Sequence, residues 1–195
     1  MNSAHEFLRS RRSTRRFRPD PIPDSVIERI LTTATYAPSA HNLQPWRFVI
    51  VKNPDSKSRL GIALTTKMRV DMQAEGAPES ETEKRVANSL RRIDEAPVII
   101  LLCRDVTVVR TDTPEETIMN IQSTALAGLQ LLLAAHAEGL GGNWICWPLY
   151  ATKETQTTLG LPESWEPQAL VFVGYADEEP KQKELKSLNI VSIVI

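Results

Sequence analysis

The sequence predicts an α+β domain, and three observations carry that prediction. Segments with helical and strand periodicity are mixed along the chain without the regular strand-helix-strand alternation of a parallel sheet. The 195 residues fall in the usual range of one domain, and a hydrophobic content of 42% suffices for a sizeable core. No internal repeat or low-complexity tract divides the chain, so a single domain over residues 1–195 is expected.

Taken in order, Val26, Ile27, Ile30, Leu31 and Ala34 recur at helical spacing after Pro23 and Asp24, with Ser25 and Glu28 at capping-box spacing. This helix must stop before Pro38, because the residue preceding a proline is pushed out of the helical region. Trp46 to Val51 alternates side chains and is rich in β-formers, which predicts a strand. A second helix begins at Pro54 and runs through Leu60 and Leu64. Residues 74–82 read as a break, Glu83 to Glu95 as a charged helix, Val98 to Cys103 as a short buried strand, and residues 104–114 as a surface loop.

Glu115 to Glu138 is the longest helical segment, and Ile118, Ile121, Ala125, Leu126, Leu129, Leu132 and Leu133 leave it apolar over most of its circumference. Such a helix is buried on nearly every side. In a chain this short, a second copy is one way to surround it, so a homodimer is expected. Gly139 to Gly142 ends the helix, Trp144 to Trp147 reads as a strand, Ala151 to Leu159 as a short helix and Gln168 to Tyr175 as a strand. Asn189 to Ile195 is apolar and β-prone. An edge of that kind aggregates unless paired, so it is expected to lie on a sheet, the partner's being the candidate.

Charge is distributed unevenly. The formal net charge is only −1, yet Arg9, Arg11, Arg12, Arg15, Arg16 and Arg18, six of fifteen arginines, crowd the first segment around Ser13 and Thr14. Guanidinium groups match phosphate oxygens in a planar fork, and hydroxyls add donors. About twenty residues on, Ala37-Pro38-Ser39-Ala40-His41-Asn42-Leu43-Gln44-Pro45-Trp46 is dense in neutral donors and acceptors and pinned by two prolines. A phosphate end and a neutral polar end suggest a nucleotide-like cofactor. Glu6 and the helix that follows speak against an organellar leader. The near-neutral balance, with no second basic stripe, speaks against nucleic acid or a membrane surface as partner.

Other chemistries are unsupported. Cys103 and Cys146 belong to no disulfide framework or zinc motif, which points to a reducing cytoplasm. His5, His41 and His136 have no metal or triad spacing, so no metal is expected; His136, on an apolar helix, reads as structural and His41 as divided between solvent and ligand. The apolar run Ala125 to Ala137 falls short of a membrane span. Glycine-rich nucleotide loops and the Gly-x-Ser-x-Gly elbow are absent. With no side-chain nucleophile or metal in view, the reactive atom belongs to a cofactor.

Arg11-Arg12-Ser13-Thr14-Arg15-Arg16-Phe17, the run at 37–46, Ala-Glu-Gly-Leu-Gly-Gly at 137–142 and Val-Gly-Tyr at 173–175 together resemble the FMN-dependent nitroreductase family, over nearly the whole chain and in the right order. The resemblance implies a mostly antiparallel central sheet flanked by helices, with a C-terminal strand reaching the partner. It also implies a homodimer with FMN at the interface, and hydride passing from NADH, NADPH or a reduced deazaflavin through flavin N5, with no obligatory catalytic side chain. By position, Arg11, Arg12, Ser13 and Arg15 would hold the phosphate and ribityl end, while Pro38, Ser39, Ala40, Asn42 and Gln44 would meet the isoalloxazine from the other subunit. Ile145, Cys146 and Trp147 would lie near N5, approached closely because of Gly141 and Gly142.

Two departures stand out. The family's phosphate-binding arginine near the C-terminus is Leu185 here, which leaves Lys183 or Lys186 as substitutes, and Cys146 and Trp147 replace small or acidic residues. Arg69-Val70-Asp71-Met72, Arg85-Val86 leading to Asp94-Glu95-Ala96-Pro97, and the run 161–167 resemble the flavin-binding C-terminal domain of the ligase that makes coenzyme F-420, which implies reduction of a dehydro precursor. A non-catalytic flavin sensor and a flavin-fragmenting enzyme are the alternatives.

Overall fold

Four segments rich in apolar and β-branched residues pair into one antiparallel sheet in the computed structural model of the chain, which describes residues 3–181 and 183–195. The strands are β1 (Trp46–Val51), β2 (Val98–Asp105), β3 (Gly141–Ile145) and β4 (Trp165–Gly174), in the order β1-β2-β4-β3. β2 is buried along its whole length, as a continuous apolar run at the centre of a covered sheet should be. The register sets Phe48 opposite Leu102, Ile100 opposite Val171, and Gly142 opposite Val173.

Eight helices accompany the sheet among the described residues: α1 (Ser3–Ser10), α2 (Asp24–Ala34), α3 (Pro54–Ala74), α4 (Glu79–Glu95), α5 (Pro114–Ala137), α6 (Trp147–Tyr150), α7 (Thr152–Leu159) and α8 (Leu188–Val191). On one sheet face Ile27, Ile30, Leu131 and Ala135 of α2 and α5 pack against Ile100, Val171 and Val173. On the other, Leu60, Leu64 and Ile93 of α3 and α4 pack against Ile99, Leu101 and Phe172. Proline at the first position and a side-chain acceptor before it start both long helices: Asn53 accepts from the Asp55 and Ser56 amides, and Thr113 from that of Glu116.

Several expected boundaries shift for physical reasons. α2 begins at Asp24 behind Pro23 without a side-chain cap, so Ser25 and Glu28 form no capping box. The break at 74–82 narrows to residues 75–78, where Gly76 takes a positive φ of 75° and the helices on either side continue. Arg69 grips Glu83 with two bonds of 2.7 and 3.0 Å, so residues 68–83 are a pinned helical hairpin. β2 extends two residues past Cys103 to Asp105. β3 starts at Gly141, three residues earlier than expected, and Trp147 opens a helical turn instead of ending a strand.

Two apolar surfaces remain open. α5 buries Ala127, Leu131, Leu132 and Ala135 but leaves Ile118, Ile121, Leu126 and Leu129 exposed at 39–53%, so it is covered on one side only. α5 is long and apolar enough to cross a membrane, with half of the relevant window buried inside the protein. The segment 189–195 is not a strand in the single chain: Leu188–Val191 is a helical turn, and Ile193, Val194 and Ile195 extend fully exposed because nothing lies beside them to pair with.

Candidate functional site

The arginine segment is held on the edge of β3. Ser13 bridges to Gly142, and the Thr14 amide donates to the Gly142 carbonyl at 3.1 Å. Thr14 is buried so closely on Gly141 that a Cβ there would lie 2.5 Å from its hydroxyl oxygen, and a Cβ at Gly142 would lie 2.7 Å from Leu132 Cδ2. The two glycines therefore admit the protein's own segments. Phe17, paired with Ala176, and the Arg18 amide, donating to the Tyr175 carbonyl at 2.9 Å, continue the strap across the sheet end.

This anchoring sorts five of the six arginines. Arg16 pairs with Glu95 at 3.0 Å, a carboxylate it shares with Arg91, and Arg18 with Asp20 at 3.2 Å, so both have an acid partner. Arg11, Arg12 and Arg15 form no ion pair among the described residues. Arg12 Nη1 instead donates to the carbonyls of Arg9 and Arg11 at 2.5 and 2.9 Å, acceptors that leave its charge uncompensated. Only the backbone amide of Arg15 meets an acid, Glu178. Ser10 Oγ and Nε2 of His136 are hydrogen-bonded at 2.7 Å, while Phe7 stacks on the same ring, so His136 anchors α1 as a structural residue. Burial, then the charge of Arg11, lowers its pKa and favours the neutral ring.

The fold adds one cation that the sequence did not mark. Arg92, on α4, lies close enough to Arg15 for the two charges to interact, and its Nε is buried with no hydrogen-bond partner. Burial, then Arg15 and Arg91, lowers its pKa, with Glu178 opposing. A buried orphan donor among like charges is costly. An anion or a carbonyl-bearing ligand at the edge of β3 removes that cost.

The proline loop is built differently. Its 3-10 turn, Ala40–Asn42, is fixed by the Ala40 amide donating to Ser123 Oγ on α5 at 3.1 Å and the Gln44 amide donating to Ser39 Oγ at 3.1 Å. Arg47 bonds the Gln44 and Trp46 carbonyls and pairs with Asp105 at 3.0 Å, which ties the loop to β2. Burial raises the Asp105 pKa, but the Thr107 hydrogen bonds and Arg47 outweigh it and hold the group ionised. His41, Asn42 and Gln44 have φ of 54°, 55° and 51°, a conformation that costs a non-glycine residue about 1 to 3 kcal/mol each and that clusters at functional sites. Pro38, Ser39 and Ala40 line a pocket of about 200 Å³ with Met119, Gln122, Ser123 and Leu126.

Within one chain these two groups are far apart. β1, which follows the loop, and β3, which carries the arginine segment, are opposite sheet edges, about 14 Å apart at about 4.8 Å per strand spacing. Along α5 the loop contacts Ser123 and the segment contacts His136, thirteen residues or about 20 Å further on at 1.5 Å per residue.

At the far end of β3 from the arginines, Trp144 Nε1 donates to the exposed Cys146 Sγ at 3.0 Å. Trp147 is divided between two roles: it packs edge-on against Phe172 in the core, with centroids 6.2 Å apart, and lines a cleft of about 290 Å³ with Met68, Asp71 and Tyr150. Lys183 and Lys186 are exposed on the tail that follows Asp177 and Glu178, which bond the Arg16 carbonyl and the Arg15 amide, and neither forms a hydrogen bond or ion pair among the described residues.

A model of the nitroreductase family matches residues 8–175. The chain belongs to the nitroreductase family. Among nitroreductase relatives, a candidate NAD(P)H nitroreductase of Bacillus subtilis, YfhC, is 30% identical over 185 residues, covering 92% of this chain and 87% of the relative. The 5,6-dimethylbenzimidazole synthase of Rhodospirillum rubrum is 31% identical over 183 residues, covering 92% and 84%. A candidate nitroreductase from Desulfovibrio desulfuricans, solved with FMN, superposes with a TM-score of 0.77 at 22% identity over 100% of this chain and 98% of that one. The nitroreductase fold expected from the sequence is thus borne out.

Proposed function

We propose that this nitroreductase-family chain is an FMN-dependent oxidoreductase whose site is completed by a second copy. The chemistry FMN supplies when bound is two-electron transfer from NADH, NADPH or a reduced deazaflavin to an electron-poor organic acceptor. The observation that carries the reading is the set Arg11, Arg12, Arg15 and Arg92: among the described residues, three guanidinium groups without a carboxylate partner and a fourth with an orphaned Nε, gathered at one sheet edge. Arg11, Arg12, Ser13 and Arg15 would hold the phosphate end. Arg92 would donate to the ring system, and residues 145–147 would flank it. The Desulfovibrio fold neighbour binding FMN supports the same ligand.

The homodimer is supported by the open face of α5. A twofold axis perpendicular to α5 near Leu126 and Leu129 sets the helix antiparallel to its copy, burying the same patch twice. It also carries the loop at Ser123 of one chain toward the arginine segment near His136 of the other, spanning the separation found within one chain. Ser39, Asn42 and Gln44 then face the ring from across the interface and exclude water from it. The exposed tail 189–195 has an unpaired counterpart in the β1 edge, where Ile50 and Phe48 line an apolar groove with Ile27 and Leu31, and strand exchange would cover both. Lys183 and Lys186 lie on the same tail, a few residues past Glu178, which the Arg15 amide meets.

Purified protein is expected to be yellow, with flavin absorbance bleached by NADH or NADPH without oxygen. Colourless protein that takes up no added FMN rules the reading out, and bound FMN that no donor reduces favours a sensor. A second reading, flavin fragmentation, is favoured by the likeness to the benzimidazole synthase; it requires that protein-bound FMNH2 be consumed in oxygen and a benzimidazole appear. Reduction of a dehydro precursor of F-420 rests on the sequence resemblance and is tested by supplying that precursor to the reduced protein.

A further inference from the structure

The connection between β2 and α5 delivers Arg110 onto His41. Arg110 Nη1 lies 3.2 Å from both Nδ1 and Nε2 of the imidazole. A nitrogen equidistant from both ring nitrogens sits over the ring face, since in the ring plane it would collide with the carbon between them. The contact therefore engages Nη1 at the imidazole nitrogens and leaves the Nε and Nη2 N–H groups of the guanidinium available to a ligand. The Arg110 amide donates to Glu116 Oε2 at 3.2 Å, but its guanidinium forms no ion pair among the described residues, and both residues are exposed. The turn holds His41 at φ 54°, so its imidazole is presented from a strained backbone that Ser123 and Ser39 pin in place.

We propose that His41 and Arg110 form an anion-recognition edge at the mouth of the flavin site, selecting a reactant that carries a carboxylate or phosphate group. The inference rests on the reading above, in which the proline loop faces the flavin of the other subunit. A phosphate on the electron donor and an acid group on the acceptor offer the same chemistry, and the two half-reactions separate them.

The test uses the FMN-loaded protein in stopped-flow. NADH is compared with the neutral donor 1-benzyl-1,4-dihydronicotinamide in the reductive half-reaction, and 4-nitrobenzoate with 4-nitrobenzamide in the oxidative one. Arg110→Gln is expected to lower the second-order rate constant of at least one anionic reactant about tenfold, the loss typical of a charge-assisted hydrogen bond, while its neutral counterpart changes less than about twofold. A loss with NADH assigns the edge to the donor, a loss with 4-nitrobenzoate to the acceptor. Arg110→Lys keeps the charge and should restore part of the preference. Charged and neutral reactants responding alike in both half-reactions overturn the proposal. Protein without FMN overturns the parent reading and this one together, whereas normal FMN content and turnover without charge discrimination overturn this one alone.

Discussion

The arginine segment and the proline loop fix their geometry by opposite means. The segment lies against β3 through ordinary backbone pairing, on glycines whose missing Cβ atoms make room for Thr14 and Leu132, and it concentrates charge with little strain. The loop carries no acid and stores its cost in the backbone, at three left-handed residues held by hydroxyls and by Arg47. The first arrangement concentrates uncompensated positive charge; the second presents neutral donors and acceptors from a rigid turn. The two meet opposite halves of α5, and in the proposed dimer they would complete one site between two copies.

The sharpest way to break this comparison is to keep the copies apart. Leu129 is 49% exposed in the single chain and would be central to the twofold face. Leu129→Glu places two carboxylates opposite one another across that face, a like-charge clash of several kcal/mol, on the order of a hundredfold or more in association. Sedimentation velocity should then show monomer, and FMN affinity should fall with it. A monomeric variant that retains full FMN would mean that one chain holds the cofactor alone, and the division into two half-sites would be wrong.

A smaller effect separates free cations from neutralised ones. Arg12→Ala removes a guanidinium without an acid partner and should weaken FMN by about 1.5 to 3 kcal/mol, roughly tenfold or more. Arg16→Ala removes one already paired with Glu95, and FMN titration should hardly register it. Equal losses for the two would show that the segment acts by general field and not by specific contacts.

That distinction marks the limit of what could be read from the sequence. The clustering of arginines was visible, as were the helix at 24–34, the strand at 46–51 and the apolar central strand, because each rests on local periodicity or proline. Which arginines stay free depends on Glu95 and Asp20 arriving beside two of them. Arg92 carries no local signal at all; only the packing of α4 buries its Nε and brings its charge within reach of Arg15. β3 was misplaced because Gly141 and Gly142 read as helix breakers, while the fold uses them as an edge strand under close approach. The half-exposed α5 could not be told from a fully buried one, since hydrophobicity reports that a face is covered and not by what.

The smallest expected effect lies in the proline loop. Ser39 Oγ accepts the Gln44 amide at 3.1 Å, a neutral bond whose net contribution is about 1 kcal/mol. Ser39→Ala should therefore reduce thermal stability by about that amount and raise the FMN dissociation constant about fivefold, half the loss or less expected for Arg12→Ala. The route differs too: the bond helps to hold Gln44 at φ 51°, so its loss lets the loop relax toward ordinary backbone and away from the ring. The loss should therefore be insensitive to salt, whereas the loss for Arg12→Ala should shrink as ionic strength screens the phosphate contact. Titrating FMN into both variants at low and high salt reads this directly, and a salt-dependent deficit in Ser39→Ala would mean that the loop also works by charge.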